Sequence, residues 1–141
     1  MESSMITCEY FKKRIIDLCL RSGLQEFPSK RRDQLIIIKC IANMFMENKI
    51  YIEKEVNEII KSWLADMSCF SGWDYITLRR ELVDNGFLNR NPEGSCYRLS
   101  PNGPAGITFE PAVTQIKIKN VLEEGKRMIA QRKMEHLGAK L

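Results

Sequence analysis

His136 is the only histidine among 141 residues and stands in a polar tail, so no imidazole-based nucleophile pair can be assembled. The five cysteines, Cys8, Cys19, Cys40, Cys69 and Cys96, are scattered, and none belongs to a Cys-x-x-Cys pair. That spacing supplies no zinc site and suits buried free thiols of a reducing compartment better than a disulfide framework. No glycine loop is arranged to cradle a phosphate, and carboxylates such as Glu53, Glu55 and Asp74 stand without a recognisable acid/base partner. The expectation is a protein that is not an enzyme and uses no cofactor or metal. What the chain does offer is cations: Lys30, Arg31 and Arg32 in a run, Arg79 and Arg80 as a pair, and Arg90 and Arg98. Such groups contact phosphates, and Arg80, Thr77 and Asn85 have the chemistry to reach base edges.

The net charge of +4 is unevenly divided. Residues 1–32 carry seven Lys/Arg against four Asp/Glu, residues 33–100 eight against ten, and residues 101–141 seven against four. The arms are basic and the middle is not, which weakens the broad cationic excess that phosphate binding favours. At 44% hydrophobic, a chain of this length buries one self-sufficient core more comfortably than two. No run approaches a membrane span, and Met1–Ser4 leads into amphipathic sequence without a signal peptide's apolar core. A soluble cytoplasmic protein with no membrane contact is expected.

The elements that must position the cations follow from periodicity. Cys8, Phe11, Ile15 and Leu18 fall at helical spacing over Thr7–Ser22, with Gly23 at the C-cap position and Lys12–Lys13–Arg14 read as a solvated face. Ser29–Met46 turns nearly all apolar from Leu35 and predicts a buried central helix. Ile50–Tyr51–Ile52 reads as a short strand, Glu53–Leu64 as an amphipathic helix, and Asp74–Asn85 as a third helix stopped by Gly86. Phe87–Arg90 and Ser95–Leu99 flank an Asn-Pro-Glu-Gly turn and predict a hairpin. Ser100–Pro111 reads as a linker, followed by a C-terminal helix that starts at about Val113 or Asn120 and runs to Met134. The order helix, strand, helix, helix, strand, turn, strand is that of a winged helix. The predicted class is mainly α with a small β-hairpin: an N-terminal helix over 1–24, a winged helix-turn-helix domain over 25–100, and a linker with a basic C-terminal helix over 101–141.

Three blocks carry a family likeness: Phe27–Pro28–Ser29–Lys30, then Tyr51–Ile52–Glu53–Lys54–Glu55–Val56–Asn57–Glu58–Ile59, then Asp74 through Arg90 leading to Gly94–Ser95–Cys96–Tyr97–Arg98. In order and spacing they resemble the prokaryotic domain-of-unknown-function family 2087. Members are often described as transcriptional regulators, so the resemblance implies a DNA-binding role and supplies no catalytic residue. At Ile52 the family pattern favours Ser or Thr, which would cap the helix that follows; Ile52 cannot, although Tyr51 can still staple onto Val56.

On a helical wheel, Tyr75, Ile76, Leu78, Leu82 and Val83 share an arc with Arg79 near its middle, so Arg79 is expected to face inward in a structural ion pair with Glu55 or Glu53. The outward arc holds Arg80 with Asp74, Glu81 and Asp84, an acidic face for a groove reader. DNA contacts are therefore expected mainly from Arg90, Arg98 and Lys30–Arg32 on the backbone of double-stranded DNA, with Thr77, Arg80 and Asn85 as base-edge candidates. The alternative is a winged-helix module that binds a protein through that acidic helix. The stripes Cys8/Phe11/Ile15/Leu18 and Ile118/Val121/Leu122/Met128/Ile129 need burial, either within one chain or across a homodimer.

Overall fold

Four consecutive residues, Leu35, Ile36, Ile37 and Ile38, are fully buried, which requires covering elements on all sides of the helix that carries them. That helix, α2 (Arg31–Ala42), is the pillar of the fold in the computed structural model, which describes residues 4–22, 27–70 and 72–139. The expected cap Gly23 lies outside the described residues. Met44 and Met46, read as part of the central helix, are 51% and 65% exposed beyond its end.

After α2 come β2 (Tyr51–Ile52), α3 (Glu53–Asp66), a 3-10 turn at Ser68–Phe70, α4 (Tyr75–Asp84), β3 (Leu88–Arg90) and β4 (Cys96–Leu99). This is the order read from the sequence. Three strands form one antiparallel sheet in the order β2-β4-β3, so the described residues form a mixed α and β fold with five α-helices and this small three-stranded sheet. The missing cap at Ile52 is half replaced: Glu55 Oε1 accepts from the Ile52 backbone N–H at 3.0 Å, the reciprocal half of a capping box. Helix α4 has both ends fixed by side chains. Asp74 Oδ1 accepts from Ile76 N at 3.1 Å and Asn85 Nδ2 donates to the Glu81 carbonyl at 2.9 Å. Gly86 then turns at φ +82°, and a Cβ there would meet the Gly103 carbonyl at 3.0 Å, so only glycine fits.

The terminal segments are built into the same core. Strand β1 (Ser4–Ile6) pairs in parallel with β5 (Ile107–Phe109), a strand inside the segment read as a linker. Helix α1 (Cys8–Ile16) starts on Thr7, whose Oγ1 accepts from Tyr10 N at 3.1 Å, and continues as a π-helical turn over Asp17–Ser22. Helix α5 (Ile118–Ala139) crosses this turn at Gly125, where a Cβ would lie 2.9 Å from Ile16 Cγ1 and 3.0 Å from Leu20 Cδ1. Phe11, Ile15, Leu18, Ile118 and Val121 are consequently buried within one chain, while Met128, Met134 and Leu137 stay exposed. No helix among the described residues is long and apolar enough to cross a membrane.

The cation run of α1 is not a uniformly solvated face. Arg14 forks onto Asp33 of α2, Nε to Oδ1 at 3.0 Å and Nη2 to Oδ2 at 3.1 Å. Asp33 is the one buried charged residue among those described, at 6% exposure.

Candidate nucleic-acid interface

Strand register decides where the hairpin cations point. Arg90 is opposite Tyr97, and Asn89 is opposite Arg98. Side chains alternate across a strand, so Arg98 and Asn89 share the outer face while Arg90 lies with Leu88, Tyr97 and Leu99 on the other. Arg90 stays exposed, with its guanidinium carbon 5.9 Å from the Tyr97 ring centroid and its tip against Gly94. The two arginines therefore straddle the hairpin. Its turn is held by Asn91, whose Oδ1 accepts from Ser95 N at 2.8 Å and Cys96 N at 3.0 Å, clamping the start of the turn to its end.

The basic run at the start of α2 divides. Lys30 is the exposed N-cap residue of α2 and makes no side-chain cap. Arg31 Nη1 donates to Asn85 Oδ1 at 3.2 Å, tying the run to the C-terminal end of α4. Arg32 turns the other way, donating to Ser4 Oγ, with its guanidinium carbon 5.0 Å from the Tyr10 centroid. It belongs to the terminal layer and is not beside α4.

Two of the base-edge candidates already have partners. Thr77 Oγ1 donates to Asp74 Oδ2 at 3.3 Å, and Asn85 donates to Glu81 while accepting from Arg31. Arg80 is exposed and forms no ion pair among the described residues. Around it the face of α4 carries exposed Asp74 and Asp84 and half-buried Glu81.

Arg79 faces inward, and of its two expected partners, Glu55 and Glu53, it is Glu53 that forms the ion pair. Arg79 Nη2 lies 3.6 Å from Glu53 Oε1, and Nη1 donates to Asn57 Oδ1 at 2.5 Å. Glu55 is occupied in capping Ile52. The burial of α4 centres on Leu78 and Leu82, at 1% and 0% exposure, and Ile76, on the far edge of the arc, is 37% exposed. Tyr97 O–H donates to the same Glu53 oxygen at 3.1 Å, and burial together with that carboxylate raises the phenol's pKa. Arg79, Glu53, Asn57 and Tyr97 thus lock α3, α4 and β4 together. Asn57 is the residue sequence reasoning missed; it lies one helical turn after Glu53, on the same face.

Glu53 is 45% exposed as a side chain, so water can replace part of what Arg79 gives it. Arg79→Ala is accordingly expected to lower stability by about 1–2 kcal/mol, below the cost of orphaning a fully buried charge. Urea denaturation checks this, and an unchanged midpoint would contradict the inward network.

The thiols sit where apolar packing puts them. Cys40 is buried and its pKa is pushed up by that burial, and Cys19 is raised by the neighbouring Cys69 thiol and by burial. Cys69 is lowered by its Cys19 neighbour.

A family model described as an uncharacterised protein conserved in bacteria, domain of unknown function 2087, matches residues 23–99. Comparison with curated proteins and with solved structures gave no match.

Proposed function

As a chain that belongs to domain-of-unknown-function family 2087, uncharacterised proteins conserved in bacteria, we propose that this protein is a DNA-binding transcriptional regulator built on a winged helix. In this reading α3 and α4 are the helix-turn-helix and β3–β4 is the wing. One observation carries it: exposed cations from three separated segments, Lys30–Arg31, Arg80 and the Arg90/Arg98 pair, surround α4 and the hairpin, and the Arg31–Asn85 bond joins the first segment to α4. Arg90 and Arg98 on opposite faces of a narrow hairpin suit two phosphates on either side of a groove. The role implies a cytoplasmic, non-enzymatic protein. Homodimerisation through the terminal stripes loses most of its surface, because those stripes are largely buried within one chain.

Thr77 and Asn85 are engaged locally, so base readout narrows to Arg80. Backbone contacts are expected to dominate. Replacing Arg90 and Arg98 together with Ala should weaken every duplex about equally and reduce the salt slope by about two, one for each phosphate contact. Arg80→Ala should cost ~1–3 kcal/mol at preferred sites and leave background binding nearly intact. Titrations over a salt series read both. Neither change altering DNA retention would favour the second reading, a protein-docking module, for which the acidic exposed face of α4 is the supporting observation.

A further inference from the structure

The end of α2, the end of β4 and the loop after it enclose an open cleft of about 710 Å³. That size falls within the range of small-molecule sites. Phe45, Phe87 and Phe109 line it, the last two with ring centroids 6.1 Å apart and planes at 49°. Its walls carry two cations, Lys39 and Arg98, against one carboxylate, Glu47. Neither cation forms an ion pair within 4.0 Å among the described residues.

Lys39 is the informative group. Its ammonium donates to a neutral partner, Thr114 Oγ1, at 3.2 Å and stands 5.6 Å from the Phe109 centroid. Partial burial pulls its pKa down. A cation drawn out of water beside aromatic rings, with no counter-ion in contact, is stabilised by an anion that brings its own apolar surface.

We propose that this cleft binds a small aromatic carboxylate, its ring against the phenylalanines and its carboxylate between Lys39 and Arg98. Arg98 also lies on the outer face of the hairpin, so in the regulator proposed above a bound carboxylate would compete with a DNA phosphate for it.

Isothermal titration of the full chain with indole-3-acetate, in the absence of DNA, tests the site by itself. The expected result is saturable one-to-one binding, weakened about tenfold or more by Lys39→Met and by Arg98→Ala, since each removes one charge-assisted hydrogen bond. Lys39→Arg should retain binding. The neutral analogue indole-3-acetamide, titrated into the unaltered protein, should bind at least about tenfold more weakly, which frees the test from any folding defect in a variant. No saturation by indole-3-acetate at about 10 mM, a concentration above weak-site affinity, would overturn the proposal. So would equal affinity for the amide, or inorganic phosphate binding as tightly as the aromatic acid. A separate arm adds DNA: indole-3-acetate should lower DNA affinity of the parent. Ligand binding with no DNA binding at all would sink the regulator reading and leave the cleft assignment standing.

Discussion

Arg14→Ala is expected to lower stability by roughly 3 kcal/mol, although Arg14 sits in a run of three cations that looks like ordinary surface. The cause is Asp33, held at 6% exposure and forked by two bonds of 3.0 and 3.1 Å from one guanidinium. Removing the arginine leaves a carboxylate buried without a counter-charge, and that orphaned charge is what costs free energy, more than the pair itself contributes. At ~2–4 °C per kcal/mol for a chain of this size, the melting point should drop by about 10 °C. Lys12→Ala and Lys13→Ala, on exposed neighbours, should change it by a degree or two at most. Replacing Arg14 and Asp33 together by apolar residues should recover much of the loss, because no charge is then stranded. Differential scanning calorimetry of the four variants checks the pattern. An Arg14→Ala protein melting with its Lys12 and Lys13 counterparts would contradict the buried pairing.

A larger loss is expected from Phe70→Ala, about 4 kcal/mol in urea denaturation. Phe70 is fully buried in the 3-10 turn between α3 and α4. Its ring stacks on Trp63 at 4.9 Å and 17°, and packs against Trp73 at 4.8 Å and 54°. Trp73 in turn meets Phe27 edge-on at 5.5 Å. The truncated site is walled by rigid indoles that cannot collapse into the void, so both transfer and cavity contributions are felt. The angle between α3 and α4 depends on this stack, and duplex binding is expected to weaken along with stability. Phe70→Leu, which keeps most of the volume, should cost about half as much. A Phe70→Ala variant within about 1.5 kcal/mol of the parent would mean that the turn is not held by the stack.

These two side chains also mark how much was legible in the sequence. The order of elements from α2 to β4 followed from local signals: the all-apolar run from Leu35, the 3.6-residue stripe of α3, Asp74 and Asn85 at the ends of α4, and Gly86 beyond it. Each is satisfied within a few residues, which is why periodicity and capping rules found it. The pairing of β1 with β5 spans about a hundred residues with three-residue strands. Three residues carry no usable period, and Ser100–Pro111 was rich in turn formers, so it read as a linker. Arg14 illustrates the same limit for charge: its partner is nineteen residues away on another helix, and a run of cations alone says nothing of what faces it. The wheel for α4 placed Arg79 correctly inward and misjudged Ile76, because burial centres on Leu78 and Leu82 and not on the middle of the apolar arc. Helix α5 outran its predicted end at Met134 because Leu137 is the one large apolar residue in its last turn and it is exposed, giving no stripe to follow.

If cations around α4 and the hairpin bind duplex DNA, affinity must fall steeply as salt rises. Binding of the unaltered protein to mixed genomic fragments is measured at about 50 mM and about 200 mM salt. Four phosphate contacts, from Lys30, Arg31, Arg90 and Arg98, give a slope near −3.6 and a fall in affinity of roughly a hundredfold between the two. Retention at the lower salt with a loss of that order is the predicted result. No retention at about 50 mM, or binding indifferent to salt, would contradict the claim and leave the acidic face of α4 as a surface for a protein partner.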